Sequence, residues 1–371
     1  MAETIAILLY TSCDSLTAKQ PDPTPAALLA VTTLPLTGVV DSPRNPFESI
    51  PLTVFYWLVM IPSFNLHLWL LAFLWSTFPL VGSAQTLADR LGYPPGTKMI
   101  IIHADDLGET HAVNAAAIKA LQGGSINSAS LMVPCPWFPE IADYAKSHPD
   151  ADFGLHLTLT SERVYYRWGP VAPRDKVPSL VDETGYFYHD WEYHEHINPR
   201  DAEVELRAQI GRALAMGVRP THLDSHQYRL IMSGDELFDV MLRVGHEYKL
   251  PIFVTRDWFA DHPYLQRSLG ANDIVLDHTV TIEPEVAPEK WAEFYITALR
   301  NLKPGVTEFV IHPGFDDEEL RAATRERSTW GSAWRQRDYD FFTSDQFREI
   351  LALEKIRLIT WRELVREVSP K

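Results

Sequence analysis

Residues 98–109 read KMIIIHADDLGE. Four apolar residues run into His103, and two adjacent carboxylates, Asp105 and Asp106, then precede a glycine. A short apolar run of this kind predicts a buried strand. Two like charges side by side just past it cost stability unless something binds there.

Working outward from that stretch, strand-like runs alternate with helix-like ones over the rest of the chain. The runs are MIIIHA (99–104), SASLMV (128–133), DFGLHLTL (152–159), PTHLDSH (220–226), PIFVTR (251–256), DIVLDH (273–278), EFVIHP (308–313) and RLIT (357–360). Between them, Ala202, Leu206, Ile210, Ala213 and Leu214 recur at helical spacing and Gly217 closes the segment. Thr343 and Gln346 have the spacing of a capping box ahead of Phe347, Ile350 and Leu351. Alternation of this type predicts an α/β fold whose parallel sheet is covered by helices. Eight runs favour a TIM-like (β/α) barrel, with an open doubly wound sheet as the alternative.

Asp105, Asp106, His156, Asp224, His226, Arg256 and His312 all fall at or just past the carboxyl ends of these runs. In a barrel those ends share one face, where distant segments converge. An apolar strand has no packing reason to finish in HADD, LHL, DSH or IHP. A carboxylate with two imidazoles suits Zn²⁺, Co²⁺, Ni²⁺ or Fe²⁺, whereas Mg²⁺, the remaining alternative, prefers mainly oxygen ligands. Three protein ligands leave positions open for water and substrate. One aspartate then binds the cation, which relieves the repulsion, and the other is free to act as a base.

The chain has 371 residues and a formal net charge of −16, which argues against nucleic acid as a partner. Cys13 and Cys135 are the two cysteines, too few for a disulfide framework or a cysteine zinc site. Residues 1–52 lack helical or strand periodicity and are expected to be a poorly ordered extension. Residues 53–84 are almost wholly apolar, with no Lys or Arg between Arg44 and Arg90, and end in small residues ahead of Gln85. That pattern predicts an export signal, starting at Met60 if translation begins internally, or a membrane anchor; its start lacks the usual positive charge. The expected location is periplasmic or extracellular, with membrane anchoring as the alternative and membrane contact through 53–84 alone. The functional domain is expected over 85–371, which carries a net charge of −13.

HADDLGETHAVNAAAIKALQGGSINSASLMV, followed by GLHLTLT, PTHLDSHQ, VIHPG and LITWREL, resembles the YdjC-like (ChbG/HpnK) carbohydrate deacetylase family over roughly residues 97–366. The resemblance implies a (β/α) barrel related to polysaccharide deacetylases and metal-dependent removal of an N-acetyl group from an amino sugar. By motif position it implies Asp105 as general base, Asp106, His156 and His226 as metal ligands, and His312 as general acid. Asp224, Tyr228 and Arg256 are candidates for substrate contact or for support of the site, Arg256 by orienting Asp105. Tyr228 stands where many members have a second histidine.

Residues 161–200 are rich in Tyr, Trp and His. They are read either as a lid whose rings stack on a sugar or as an insertion packing on the rim. The pair His194 and His196 has no carboxylate-bearing strand end beside it and is not expected to bind metal. Two other functions fit part of the pattern. A non-haem Fe(II) oxygenase shares the two-histidine, one-carboxylate set, and a catalytically silent carbohydrate-binding protein could use the same barrel. The intact Asp105–Asp106 pair weighs against the latter.

Overall fold

The computed structural model describes residues 86–189 and 197–368. The expected extension, the leader or anchor segment, and His194 and His196 lie outside the described residues. No described helix is long and apolar enough to cross a membrane.

Seven strands form one parallel sheet: β1 (Lys98–Leu107), β2 (Ser128–Leu131), β3 (Phe153–Leu157), β4 (Leu223–Ser225), β5 (His278–Thr281), β6 (Gly305–Ile311) and β7 (Arg357–Leu358). Their order is β4-β3-β2-β1-β6-β5. On β1, β7 pairs Met99 and Ile100 while β2 pairs His103 to Leu107, so β7 fills the start of the edge that β2 leaves free. The sheet curls into a half-barrel with helices outside it, in line with a barrel-like α/β fold.

Side chains of a strand point alternately to its two faces, and here the two faces differ in chemistry. Ile100, Ile102 and Ala104 of β1, Leu155 of β3 and Phe309 and Ile311 of β6 face outward and share one apolar core. That core includes Ala117 and Ala120 of α1 (His111–Gln122), Ile141 of α2 (Phe138–Ser147), Leu206 and Ile210 of α3 (Pro199–Ala215), and Phe238 and Met241 of α4 (Asp235–Tyr248). The ring closes through Leu299 of α5 (Trp291–Arg300), Phe341 and Phe342 of α6 (Ser332–Phe342) and Ile350 of α7 (Asp345–Leu353).

Met99 and Ile101 of β1 and Val306 and Val310 of β6 face inward and pack with Trp361 and Leu364 of α8 (Trp361–Val368). The same alternation carries His103 and Asp105, then Ser128 and Ser130, His156, His222 and Asp224, and Glu308 into the interior, all buried. The hollow of the sheet is thus apolar at its floor and polar at the carboxyl ends of the strands. Gly154 belongs to this face because a Cβ there would lie 2.4 Å from His222 Nε2. The His222 ring in turn stacks on Trp361, centroids 4.9 Å apart.

Several expectations need correction. Residues 251–256 do not form a ladder strand, and of the expected run 273–278 only His278 belongs to one. The first bridges β4 once, Leu223 with Ile252, and the two segments bridge each other once, Thr255 with Leu276. Pro251 brings no N–H to a ladder, and Phe253, Ile274 and Leu276 serve instead as apolar filling on the inner face. The fifth strand starts at His278, just after Asp277 has turned its carboxylate to accept from Val306 N and Leu87 N. The cap of α7 also shifts by one residue. Ser344 accepts from Phe347 N, while Thr343 closes α6 by donating to the Tyr339 carbonyl, so no Thr343–Gln346 box forms.

Candidate metal centre

In a regular strand Asp105 and Asp106 would face opposite sides of the sheet, Asp106 outward with Ile102 and Ala104. The β1–β2 register breaks between Ala104 and Leu107, and Asp106 has φ +67°, a left-handed conformation rare for a residue with a Cβ. This bulge swings the second carboxylate into the hollow beside the first. Both line a cavity of about 1250 Å³ with His156, His226, Tyr228 and His312. Asp105 is not the N-cap of the following helix; Thr110 caps α1, accepting from Val113 N.

Asp106 Oδ1 lies 3.1 Å from His226 Nδ1 and 3.5 Å from His156 Nε2. The three residues each offer a ligand atom, all within 4.8 Å of one another. Asp106 Oδ1 is buried without a hydrogen-bond partner, a group that costs stability unless it is satisfied. The far nitrogen of each imidazole meets a carboxylate. His156 Nδ1 donates to Asp224 Oδ2 at 2.9 Å and His226 Nε2 to Glu162 Oε2 at 3.0 Å. In the neutral rings that a cation would bind, those bonds keep the proton on the far nitrogen and leave the lone pair on the nitrogen that faces Asp106, the usual arrangement behind a histidine metal ligand. The buried cluster therefore fits a divalent ion held by one oxygen and two nitrogens. A second buried group, His103, Asp105 and Asp224, lies deeper. Ser130 Oγ bridges it, 3.1 Å from both Asp105 Oδ1 and His156 Nδ1.

The electrostatics separate the two aspartates. Burial would raise both, but the Arg335 guanidinium, 2.6 Å from Asp106 Oδ2, together with His226, holds Asp106 well below the ordinary carboxylate range. Asp105 has no such cation; burial, together with the charges of Asp224 and Asp106, pushes it well above that range despite His156. His226 is held up to about 10 because Glu162 and Asp106 outweigh its burial. His312 is lowered to about 3 by burial, with Arg335 and the neighbouring imidazoles overcoming Asp106. Its Nε2 stands 4.0 Å from Asp105 Oδ2, and its backbone N–H donates to Asp338 at 2.9 Å.

Asp105, Asp106, His156, Asp224, His226, Tyr228 and His312 are thus brought together, whereas Arg256 is not. It opens a short turn, Arg256–Trp258, and its Nε lies 3.5 Å from Asp277 Oδ1, so it pairs with Asp277 and not with Asp105. Tyr228 adopts φ +54° and packs edge-on against Trp258, centroids 5.1 Å apart. The loop after β3 supplies charge as well as bulk. Glu162, Arg163 and His189 line the cavity, while Trp168 is buried, donating to the Thr160 carbonyl, and the Tyr166 hydroxyl donates to the Glu109 carbonyl. Among its described rings, those two are fixed as packing, as the rim-insertion reading expects. Sequence reasoning missed Arg335, Glu162 and Ser130 as parts of the site. A hydroxyl in SASL, on the same inward register as His103, is the signal that could have found Ser130.

A half-barrel whose strand ends gather a buried carboxylate–imidazole cluster is a barrel-like α/β protein with a cluster that could hold a metal ion. The chain belongs to the YdjC-like family, whose model, described as YdjC-like protein, matches residues 99–353. It is 32% identical to a carbohydrate deacetylase of Thermus thermophilus over 74% of this chain and 97% of that one. A carbohydrate deacetylase of Brevibacillus brevis is 27% identical over 71% and 99% of the two chains. Among solved structures, a proposed cellobiose-phosphate cleavage protein of Enterococcus faecalis V583 superposes with a TM-score of 0.61 at 29% identity, covering 72% of this chain and 99% of that one.

Proposed function

We propose that the chain hydrolyses the N-acetyl amide of an amino sugar or oligosaccharide with a divalent metal held by Asp106, His156 and His226. The observation that carries this reading is the division of labour between the aspartates: Asp106 is drawn into the imidazole cluster, while Asp105 Oδ2 is left facing the cavity. The family's relatives named carbohydrate deacetylase support the reaction class.

The ion would supply a Lewis acid that acidifies water and polarises a carbonyl. Asp105, oriented by Ser130 and by His103 Nε2 at 3.1 Å, accepts the proton of the attacking water. The new C–O bond forms first, by addition of water to the acetamide carbonyl; the C–N bond breaks as that tetrahedral adduct collapses, and the departing nitrogen must gain a proton. His312 stands at the mouth to deliver it. With its pKa lowered to about 3, it enters the cycle neutral and acts as an acid only after taking up a proton. Asp105, 4.0 Å away, is the neighbour that can pass one on. Acetate and the free amine leave.

The test is acetate release from a panel of N-acetylated sugars, before and after chelation and on adding back Zn²⁺, Co²⁺ or Mg²⁺. Loss with chelator and recovery with metal are expected. Sugar binding without acetate release would instead support a silent binding protein, and O₂ consumption with a 2-oxoacid an oxygenase.

A further inference from the structure

Behind the cluster runs a closed circuit of buried, alternately charged side chains. Starting at His226, Nε2 meets Glu162 Oε2 at 3.0 Å, and Glu162 Oε1 lies 3.8 Å from Arg163 Nε. Arg163 Nε donates to Glu109 Oε1 at 2.7 Å, and Glu109 Oε2 lies 3.2 Å from Arg335 Nη2. Arg335 donates to Asp106 Oδ2 at 2.6 Å, and Asp106 Oδ1 returns to His226 Nδ1 at 3.1 Å. All six side chains are nine-tenths buried or more. Glu109 follows the β1 bulge, Glu162 and Arg163 belong to the loop after β3, and Arg335 belongs to α6.

We infer that Glu162 is a positioning residue for the metal centre, acting through His226. The inference rests on the reading of Asp106, His156 and His226 as the metal-binding set. An imidazole binds a cation through an unprotonated nitrogen, so the proton must sit on the other one and the ring must not rotate. Glu162 does both, because a carboxylate only accepts and therefore keeps the proton on Nε2. Arg163 holds Glu162 from its far side, and Glu109 ties Arg163 back to the guanidinium that grips Asp106. One circuit therefore fixes the ligand carboxylate and one ligand imidazole relative to each other. The loop after β3 thereby has a role in the centre that none of its aromatic residues supplies.

The experiment is Co²⁺ titration of the full chain, followed by visible absorption and calorimetry, for wild type, Glu162→Gln, Glu162→Ala and His226→Ala. Losing such a partner typically weakens metal affinity about 10–100-fold, and that loss is expected for Glu162→Ala. Glu162→Gln, whose carbonyl can still accept from Nε2, should bind with intermediate affinity and restore the wild-type absorption band. It also stands in if the alanine variant does not fold, since an intermediate loss supports the inference and wild-type affinity overturns it. Unchanged Co²⁺ affinity in Glu162→Ala, with only a lower melting temperature, also overturns it while leaving the metal reading intact. Wild-type affinity in His226→Ala would overturn the metal reading itself.

Discussion

Replacing Asp105 by Asn separates catalysis from stability at one atom. Asp105 Oδ1 receives Ser130 Oγ at 3.1 Å and faces His103 Nε2 at 3.1 Å, and an asparagine oxygen can take the same place. The new amide nitrogen would stand where Oδ2 is, 3.8 Å from His156 Nε2 and 4.0 Å from His312 Nε2, so it meets no clash. Removal of a general base costs on the order of 10²–10⁴-fold in rate, or about 3–5 kcal/mol of barrier at 1.36 kcal/mol per decade. Stability should move the other way. Burial, with the charges of Asp224 and Asp106, raises the folded value of Asp105 above the ordinary 3.8. The metal-free native protein therefore keeps a proton that the unfolded chain has released, and stability falls as pH rises from the unfolded value through the folded one. Asparagine carries no charge in either state, so its advantage over wild type in chelated protein should grow with pH across that window. The assays are acetate release, metal content and thermal unfolding at several pH values. Near-normal turnover, or loss of bound metal, would refute the reasoning.

Other outcomes follow from neighbouring contacts. His312→Ala should lose roughly 10²–10⁴-fold in amide hydrolysis yet retain much of any activated phenyl-ester hydrolysis, whose phenolate needs no proton to leave; equal loss on both with full metal content would assign His312 another role. Arg335→Met leaves the buried carboxylates of Asp106 and Glu109 without their guanidinium, 2.6 and 3.2 Å away in wild type. In chelated protein it should cost about 3–5 kcal/mol, partly restored by a divalent cation, so melting curves should show a larger metal-induced rise than in wild type; an equal rise would count against this coupling. Gly154→Ala would put a Cβ 2.4 Å from a His222 ring already stacked on Trp361. A loss of about 1–3 kcal/mol in chemical denaturation is expected, and an unchanged midpoint would mean that the ring has room to move.

The sequence carried the parallel α/β plan and the strand-end cluster because both depend on local alternation. HADD, FGLHL and HLDSH show an apolar outer face and a polar inner one within a few residues. What was not legible depends on backbone exceptions and on distant partners. Period-two reasoning places Asp106 on the wrong face, and the left-handed φ that corrects it has no residue-type signature, since Asp is not glycine. Arg335 meets Asp106 across 229 positions from a helix whose sequence, SAWRQRDYDFF, carries no sign of a buried cation. Arg256 was misplaced for another reason: PIFVTR does run parallel to β4, bridging it at Ile252, but at its end the side chain turns to Asp277 rather than to Asp105.

The position of β1 between β2 and β6 sets the order in which a growing chain can complete the protein. Asp106, His156 and His226 have all been synthesised by residue 226, but the counter-cation Arg335 follows only after β6, some hundred residues later. At about 5–20 residues per second, that interval lasts on the order of 5–20 s. During it, the four-strand piece has an open β1 edge, the exposed backbone on which strands of other chains pair. It also holds Asp106 without the Arg335 guanidinium that balances it in the finished protein, Arg163 alone being present to pair Glu109 and Glu162. A fragment ending after β4 should therefore be a substrate for chaperones or proteases rather than a stable half-protein, although it contains every proposed ligand.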